Sequence, residues 1–241
     1  EPYSVKLEVS GRTAIFTRPD TGSSLVSYPV PTYSALRGIF EAILMLEQAV
    51  VVPVKVEICA PINYHQYTTN NVGPSRQSGK EGALQIPATV LTDVCYRIHA
   101  RAYHDDRPRP YSTQAKPDGS RCTNGGHAYR DMFYRRLDRG QCYRTPFLGW
   151  KEFPVDYFGP FRDETTVQTD INLVIPSLFK SFSQDGQGKA TQWQPTFMNN
   201  VEVRNGVLPM YEFFQIADSL ARAGITPPQR APSLKECPKN K

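Results

Sequence analysis

The chain has 241 residues, of which 39% are hydrophobic and 11% aromatic, and its formal net charge at pH 7 is +5. This length suffices for one large domain or two modest ones. No run of eighteen apolar residues occurs, so the composition predicts a soluble globular protein and excludes a membrane-spanning helix. The five cysteines are scattered and include no CxxC pair, which indicates neither a disulfide framework nor a zinc site. A reducing cytoplasm is therefore the expected compartment.

The positive charge is concentrated in one part of the chain. Residues 97–151 contain twelve Lys or Arg and five Asp, a net charge of +7, while the remaining sixteen basic and eighteen acidic residues give −2. A surplus of cations confined to one segment is typical of a nucleic-acid-binding surface. The charge pattern therefore favours an anionic polymer as the partner.

A strand and a helix are predicted first. Residues Val5–Arg18 alternate between apolar and polar side chains around a Gly-Arg step, which predicts one long or bulged strand. Residues Tyr33–Gln48 have apolar side chains at helical spacing, and Thr32 can cap the helix that this pattern predicts. On its solvent-exposed side, Arg37 and Glu41 are spaced to form an i,i+4 ion pair. The predicted buried stripe comprises Leu36, Ile39, Phe40, Ile43 and Leu46.

A β-branched stretch follows this helix. Residues Val50–Val56 predict a buried strand that continues toward Tyr64. Pro53 implies an edge position or a bulge, because proline cannot donate a ladder hydrogen bond. Residues Asn70–Gly82 form a polar excursion that either closes over a ligand or only connects two strands.

Residues Thr89–Tyr103 predict a strand with two different faces. One face is apolar, and the other presents Arg97, His99 and Arg101. As a row these side chains suit RNA, whereas for His99 alone a solvated strand position is the alternative. A long polar loop, His104–Gly126, follows, and we expect it to carry function or disorder.

Residues 127–139 predict a second, amphipathic helix that Gly140 ends. One face of this helix is apolar, and four arginines lie off that face and form a basic edge. The apolar face consists of Tyr129, Met132, Phe133 and Leu137, and the basic edge of Arg130, Arg135, Arg136 and Arg139.

A turn at Gln141–Arg144 follows the helix and leads into a predicted last strand at Phe147–Val155. Cations beside a glycine turn whose backbone amides can point outward suit an anionic polymer. The alternative is a solvated helix followed by an ordinary turn.

The element order is strand, helix, strand, strand, helix, strand. This βαββαβ order predicts an α+β chain whose first domain, residues 1–157, is ferredoxin-like, as in RNA-recognition modules. Residues 158–241 predict a small antiparallel β-sheet domain and a tail, with a hairpin signal at Asn205–Gly206. The short strand patterns of this second domain lie at 169–175, 197–203 and 207–211, and residues 183–189 predict a loop.

Several stretches resemble one family of CRISPR-associated proteins. Ser27–Ile43 (SYPVPTYSALRGIFEAI) is similar to the first-helix signature of the Cas5d family, also called the Dvulg form, a subunit of subtype I-C Cascade complexes. Met132–Arg136, Gly140–Cys142 and Phe147–Pro154 are similar to its second helix, glycine loop and last strand. Ala14–Pro19 resembles its first strand, so the resemblance covers most of the chain.

The resemblance implies a ferredoxin-like domain of the RAMP type and a small β domain that bind the repeat-derived 5′ handle of CRISPR RNA (crRNA). It further implies a metal-independent endoribonuclease that processes pre-crRNA, in which a ribose 2′-OH attacks the adjacent phosphate and leaves a cyclic phosphate. The implied partners are the pre-crRNA repeat and the backbone and large subunits of Cascade, with contact to target DNA left open. No cofactor, metal or membrane is expected.

The chain departs from the family at the positions expected to cut RNA. A general-base Tyr at the end of the first helix aligns with Leu44, and a Lys-His pair before the second helix aligns with Ala128 and Tyr129. Cations expected after the second strand are replaced around Asn70. His127 and Tyr129 lie close enough in sequence to share the acid and base roles. The alternative is that Tyr129 only packs and His127 only caps the helix.

The positions expected to bind phosphate are better preserved than those expected to cut. Two alternatives stay open: a catalytically silent subunit that binds the crRNA handle, and a stand-alone RNA-binding module of the same fold. The candidate RNA-binding residues are Arg37, Arg97, His99, Arg101, Arg130, Arg135, Arg136, Arg139, Gly140, Tyr143, Arg144 and Lys151.

Overall fold

The computed structural model describes residues 3–22, 24–71, 84–104, 124–184 and 193–210. In chain order the elements are β1 (Tyr3–Ala14), β2 (Leu25–Val26), α1 (Tyr33–Ile43), β3 (Ala49–Ile58), β4 (Asn63–Asn71), β5 (Leu84–His104), α2 (Gly125–Asp138), β6 (Tyr157–Gly159), β7 (Leu173–Gln184), β8 (Trp193–Val203) and β9 (Val207–Pro209). The described part is thus a mixed α/β arrangement with few helices and a mostly antiparallel sheet.

The longest strand, β5, holds the main sheet together. One of its edges pairs antiparallel with β1, from Ala102 opposite Tyr3 to Leu91 opposite Ala14. Its other edge pairs antiparallel with β3 and then with β4. Short strands complete the sheet, because β6 pairs with β1, β9 pairs with β3, and β2 runs parallel to β5. The strand order is β6-β1-β5-β3-β9.

Both helices contribute to the core that covers one face of this sheet. The rings of Phe40 on α1 and Phe133 on α2 are fully buried, with centroids 5.4 Å apart. Tyr129 stacks on Phe133 at 5.7 Å. This packing fixes the rotation of α2 about its axis and turns its basic edge to solvent. The apolar face predicted for β5 is confirmed, and its buried residues are Val94, Tyr96, Ile98, Ala100 and Ala102.

The first two predicted elements are confirmed, but both are shorter than predicted. β1 ends at Ala14, and Ile15 then donates its N–H to the carbonyl of Leu148 at 3.0 Å. Thr32 caps α1 as predicted, accepting from the Ala35 N–H at 3.3 Å. The helix ends at Ile43 rather than Gln48, since Leu44 is already extended, and N–H groups of a later loop bind the carbonyls of Ala42 and Ile43. The predicted bulge in β3 is confirmed beside Pro53.

The predicted last strand at Phe147–Val155 is wrong. Within this stretch the structure has only an isolated bridge between Phe147 and Pro154, and the strand that pairs with β1 is β6. The chain turns instead at Gly149, whose φ is +95°. A Cβ atom at this position would lie 1.7 Å from the carbonyl oxygen of Ile15. Gly149 thus permits a close backbone approach that other residues would block.

After β6 the chain forms a second, two-stranded antiparallel sheet of β7 and β8. The predicted Asn-Gly turn between β8 and β9 is confirmed, since Asn205 and Gly206 have φ values of 50° and 71°. Both values lie in the left-handed region, as a type I′ turn requires. β7 begins later and runs farther than the pattern at 169–175 predicted.

Several predicted features lie wholly or mostly outside the described residues. They are the polar excursion at 70–82, the loop between His104 and Gly126, the loop at 183–189 and the C-terminal tail. Neither described helix has the length and apolar character needed to cross a membrane.

Candidate nucleic-acid interface

The sequence around α2 explains why its arginines face outward. Asn124 caps the helix, and its side-chain oxygen accepts from the N–H groups of Gly126 and His127 at 3.1 and 3.3 Å. The cap is thus Asn124 and not His127. Since Tyr129 and Phe133 point into the core, the arginines between them and beyond lie along the solvent side.

The C-terminal end of α2 is a Schellman turn. Gly140 has a φ of +61°, its N–H donates to Leu137, and the N–H of Gln141 donates to the carbonyl of Arg136 at 2.8 Å. The cationic side chains of Arg135 and Arg136 lie in this last turn, where the helix dipole favours positive charge. Helix geometry therefore supports the cluster of cations at this end.

The loop that follows closes the end of α1. The N–H groups of Tyr143 and Arg144 donate to the carbonyls of Ile43 and Ala42 at 3.2 and 2.9 Å. One guanidinium nitrogen of Arg136 also donates to Ile43, at 2.8 Å. The prediction that the backbone amides of this turn point outward is wrong for Gly140, Gln141, Tyr143 and Arg144, because each donates to a protein carbonyl. Any anion held here meets side chains rather than those amides.

The cationic side chains at the end of α2 and in the loop that follows define a surface that we call the arginine corner. Its members are exposed except for Arg136, which is partly buried. Tyr143 is 63% exposed, and the guanidinium of Arg144 lies 5.5 Å from its ring centre. Within the part of the chain that the structure describes, Arg135, Arg139 and Arg144 form no ion pair, so their charge is uncompensated. Exposed guanidinium groups beside an aromatic ring suit both phosphates and unpaired bases. The arginine corner consists of Arg135, Arg136, Arg139, Tyr143 and Arg144.

The arginine of β5 lies in a different environment. Arg97 pairs with Glu8 of β1 at 3.2 Å and donates to the carbonyls of Arg162 and Thr165 at 2.6 and 2.7 Å. The Glu8 side chain is fully buried and also accepts from Arg162 Nε at 2.6 Å. Burial alone raises the pKa of Glu8, but the hydrogen bonds from Arg162, Thr165 and Arg97 outweigh it and hold this pKa below its ordinary value. Arg97 therefore neutralises an internal carboxylate.

His99 of β5 also contacts other residues of the protein. His99 Nε2 lies 3.0 Å from Glu57 Oε1, and the imidazole packs edge-on against Phe161 at 5.3 Å. Burial lowers the pKa of His99, although the Glu57 carboxylate opposes this shift. Arg101, farther along β5, is half-buried. The segment around Phe161 thus covers the strand face on which the sequence predicted an open cationic row.

Glu8 and Arg162 are the central members of this network, and sequence reasoning assigned a role to neither. The alternation in β1 did put Glu8 on the polar face. Its partner Arg162 could not be predicted, because the two residues lie 154 positions apart and no local sequence pattern indicates such a contact.

The two catalytic candidates do not meet. Tyr129 is 1% exposed, its hydroxyl donates to the Phe40 carbonyl at 3.4 Å, and burial raises its pKa above the ordinary value. The side chain of His127 is half exposed, its Nδ1 lies 3.5 Å from Asp131 Oδ2, and its ring packs edge-on against Tyr3 at 5.3 Å. Tyr129 thus packs in the core while His127 lies on the surface.

The remaining candidates are placed as follows. Arg37 forms the predicted pair with Glu41 at 2.7 Å, and Arg130 pairs with Asp131 at 3.0 Å. Lys151 is exposed and forms no ion pair within the described ranges. Among the described residues, no three His, Cys, Asp or Glu side chains are grouped as a metal site would need.

Comparisons with known proteins agree on one family. A Cas5d family model, described as CRISPR-associated protein (Cas_Cas5), matches residues 4–179. The chain is 33% identical to the CRISPR pre-crRNA endoribonuclease Cas5d of Thermus thermophilus, over 86% of this chain and 85% of that one. It is 30% identical to the protein of the same name from Mannheimia succiniciproducens, over 64% of this chain and 71% of that one.

A solved structure shares the fold. The functionally uncharacterized protein SMU1763c from Streptococcus mutans has a TM-score of 0.59 and 19% identity, with 86% of this chain and 92% of that chain covered. The family model spans well over half of the chain, and one curated relative exceeds 30% identity along most of its length. The chain therefore belongs to the Cas5d family of CRISPR-associated proteins.

Proposed function

We propose that this protein is a Cascade subunit that binds the 5′ handle of crRNA, with the arginine corner as its phosphate-binding surface. The observation that carries the proposal is the group of exposed guanidinium groups of Arg135, Arg139 and Arg144, which form no ion pair with any described residue. The names of the curated relatives, both CRISPR pre-crRNA endoribonucleases, support crRNA as the class of ligand. The backbone and large subunits of Cascade are the proposed protein partners.

The proposal extends to the architecture. The order β6-β1-β5-β3, with α1 between β1 and β3 and α2 between β5 and β6, supports a ferredoxin-like first domain. The separate sheet of β7 and β8 supports a second unit after β6, which ends two residues beyond the boundary predicted after residue 157. Both the fold name and this domain boundary stay proposals.

A second candidate function is cleavage of the pre-crRNA repeat. The names of the relatives favour it, and His127 near the start of α2 is an exposed imidazole, the side chain most often used in general acid–base catalysis. The burial of Tyr129 and the apolar side chain at Leu44, which is 2% exposed, favour a subunit that binds without cutting. RNA binding and RNA cleavage are therefore separate claims with separate tests.

Binding is tested with labelled cognate repeat RNA and the triple variant Arg135→Ala, Arg139→Ala, Arg144→Ala. Each lost phosphate contact lowers the salt slope of single-strand binding by about 0.7, so we expect the slope to fall by about 2. The matched control is Arg204→Ala, an exposed arginine that pairs with Glu202 on β8. An unchanged salt slope in the triple variant contradicts the proposal.

Cleavage is tested on the same RNA in EDTA. Specific cutting that His127→Ala abolishes and Tyr129→Phe preserves supports His127 as the acid–base group. Tight binding without any product supports the silent subunit. Co-purification with other Cascade subunits and mature crRNA distinguishes both from a stand-alone RNA-binding module.

A further inference from the structure

A cavity of about 360 Å³ lies between the first turns of α1, the end of β1 and the loop that contains Trp150. This volume is at the small end of the range for ligand sites, which suits one ring system rather than a large molecule. We call it the Trp150 pocket. Its lining residues include Thr17, Ser34, Gly38, Phe147, Trp150 and Phe179.

The lining is aromatic and uncharged. Trp150 is held in place on two sides, because its indole N–H donates to Thr17 Oγ1 at 3.0 Å and its ring lies parallel to Phe153, with centroids 6.1 Å apart. Phe147 is 37% exposed at the pocket. Among the described residues, no Lys, Arg, Asp or Glu lines it, so the pocket has no charged side chain to bind a phosphate. Aromatic rings with a few hydroxyl groups instead match a flat, neutral ring that can accept and donate hydrogen bonds.

The pocket adjoins the arginine corner along the chain and along α1. The loop that binds the carbonyls of Ala42 and Ile43 continues directly to Phe147 and Trp150. Ser34, at the pocket, precedes Ala42 by eight residues, or about 12 Å along the helix axis. Three or four stacked nucleotides rise about the same distance, at about 3.4 Å each. A strand whose phosphates lie on the corner can therefore place a base in the pocket.

We propose that the Trp150 pocket receives one unpaired nucleobase of the bound RNA, stacked on the aromatic side chains. The proposal rests on the proposed RNA-binding function and adds a second, uncharged contact to it. The corner neutralises phosphates without regard to sequence, whereas a fitted pocket can prefer one base position.

The variant Gly38→Leu tests the pocket by filling it. A Cβ atom at Gly38 would meet no other atom within 4 Å, so the added side chain has room. Leucine also favours a helix more than glycine, and we expect the melting temperature to stay constant or rise. Gly38→Ala fills less space and should have a smaller effect on base binding. The matched control is Asn199→Leu, which adds the same side chain at an exposed site on β8.

Trp150 itself reports occupancy. The chain has two tryptophans, so Trp193→Phe leaves Trp150 as the one tryptophan, which can be excited selectively at wavelengths that tyrosine does not absorb. In that background we expect the cognate repeat RNA, and adenosine at millimolar concentration, to quench the fluorescence. The Gly38→Leu change should remove the quenching, and Asn199→Leu should retain it.

An abasic scan of the RNA completes the test. Removing one particular base should weaken binding to the unfilled protein by roughly tenfold, since base stacking contributes about 1–3 kcal/mol. Removing this base should not weaken RNA binding to the Gly38→Leu protein, because filling the pocket has already removed the contact that the base makes.

Two results overturn the proposal. One is Trp150 fluorescence that neither RNA nor adenosine quenches, or that both still quench after the pocket is filled. The other is a Gly38→Leu protein with unchanged RNA affinity that no longer assembles with a Cascade subunit, which would assign the pocket to a protein side chain. If the proposed function fails instead, the arginine-corner variant retains RNA affinity while adenosine still quenches Trp150.

Discussion

The cations of β5 and those of the arginine corner are close in sequence but differ in what surrounds them. Arg97 lies beside a buried carboxylate and two carbonyls, so its charge stabilises the fold. Arg135 and Arg139 have no acidic partner within the described ranges and are exposed to solvent. Guanidinium groups thus have two uses in this molecule, and burial together with pairing distinguishes them.

The largest expected effect is on stability, from Glu8→Gln. This change removes the buried carboxylate that Arg97 and Arg162 share and leaves only the exposed Glu164 beside Arg162, at 4.0 Å. Breaking a buried ion pair by removing one partner costs about 3 kcal/mol or more. We expect a matching loss in the free energy of unfolding in urea. The control Glu202→Gln removes a carboxylate from an exposed pair with Arg204 and should cost about 0–1 kcal/mol. Equal losses in the two variants would refute the assignment of Glu8.

A smaller effect is expected on RNA affinity from single changes in the two regions. Arg139→Ala should weaken repeat RNA binding several-fold at low salt and change the free energy of unfolding by less than about 0.5 kcal/mol. Arg97→Ala should do the reverse, with a clear loss of stability and an unchanged salt slope. Binding isotherms at several salt concentrations, with urea melts of the same preparations, check both halves. A salt slope that falls for Arg97→Ala alone would mean that the regions have been assigned the wrong way round.

The pH dependence of stability should reflect the β5 region. Because the folded-state pKa of Glu8 is lowered, its contribution is present above the ordinary carboxyl value of 4.5 and is lost as pH falls below it. The pKa of His99 is also lowered, so folding loses stability as pH falls from its ordinary value of 6.5. Urea melts from pH 7 to pH 4 should show a gradual loss that His99→Gln reduces in the upper part of this range. A free energy of unfolding that stays constant from pH 7 to pH 5 in the unmodified protein would contradict the role given to His99.

The smallest expected effect is that of Arg37→Ala. Arg37 and Glu41 form a partly exposed i,i+4 pair, which contributes about 0.3–0.5 kcal/mol. Thermal melts should shift by a degree or two at most. If Arg37 also contacts RNA, affinity will fall while stability barely changes, and that result would extend the arginine corner along α1.

Local patterns in the sequence predicted much of the fold. Apolar spacing located α1, α2 and the long β5, and local chemistry identified the Thr32 cap, the Pro53 bulge and the Asn205–Gly206 turn. These features depend on neighbours a few residues away. The strand expected at 147–155 failed because Gly149 packs against Ile15, a contact across more than 130 residues.

The same limit applies to the candidate site. The charge of residues 97–151 was correctly read as concentrated, but charge alone does not tell a solvated arginine from a buried one. To predict that Arg97 is buried, one must know that Glu8 is its partner and which residues of β1 and β5 lie opposite each other. Tyr129 lies on the apolar face of α2, and this helical spacing already predicted the buried position that is observed.

Arginine footprinting tests the central distinction most directly. Phenylglyoxal modifies accessible guanidinium groups, and mass spectrometry reads the extent at each arginine with and without cognate repeat RNA. We predict that Arg135, Arg139 and Arg144 react in the free protein and are protected by RNA, whereas Arg97 reacts slowly in both states. Protection of Arg97 by RNA, with the three corner arginines unchanged, would contradict the account.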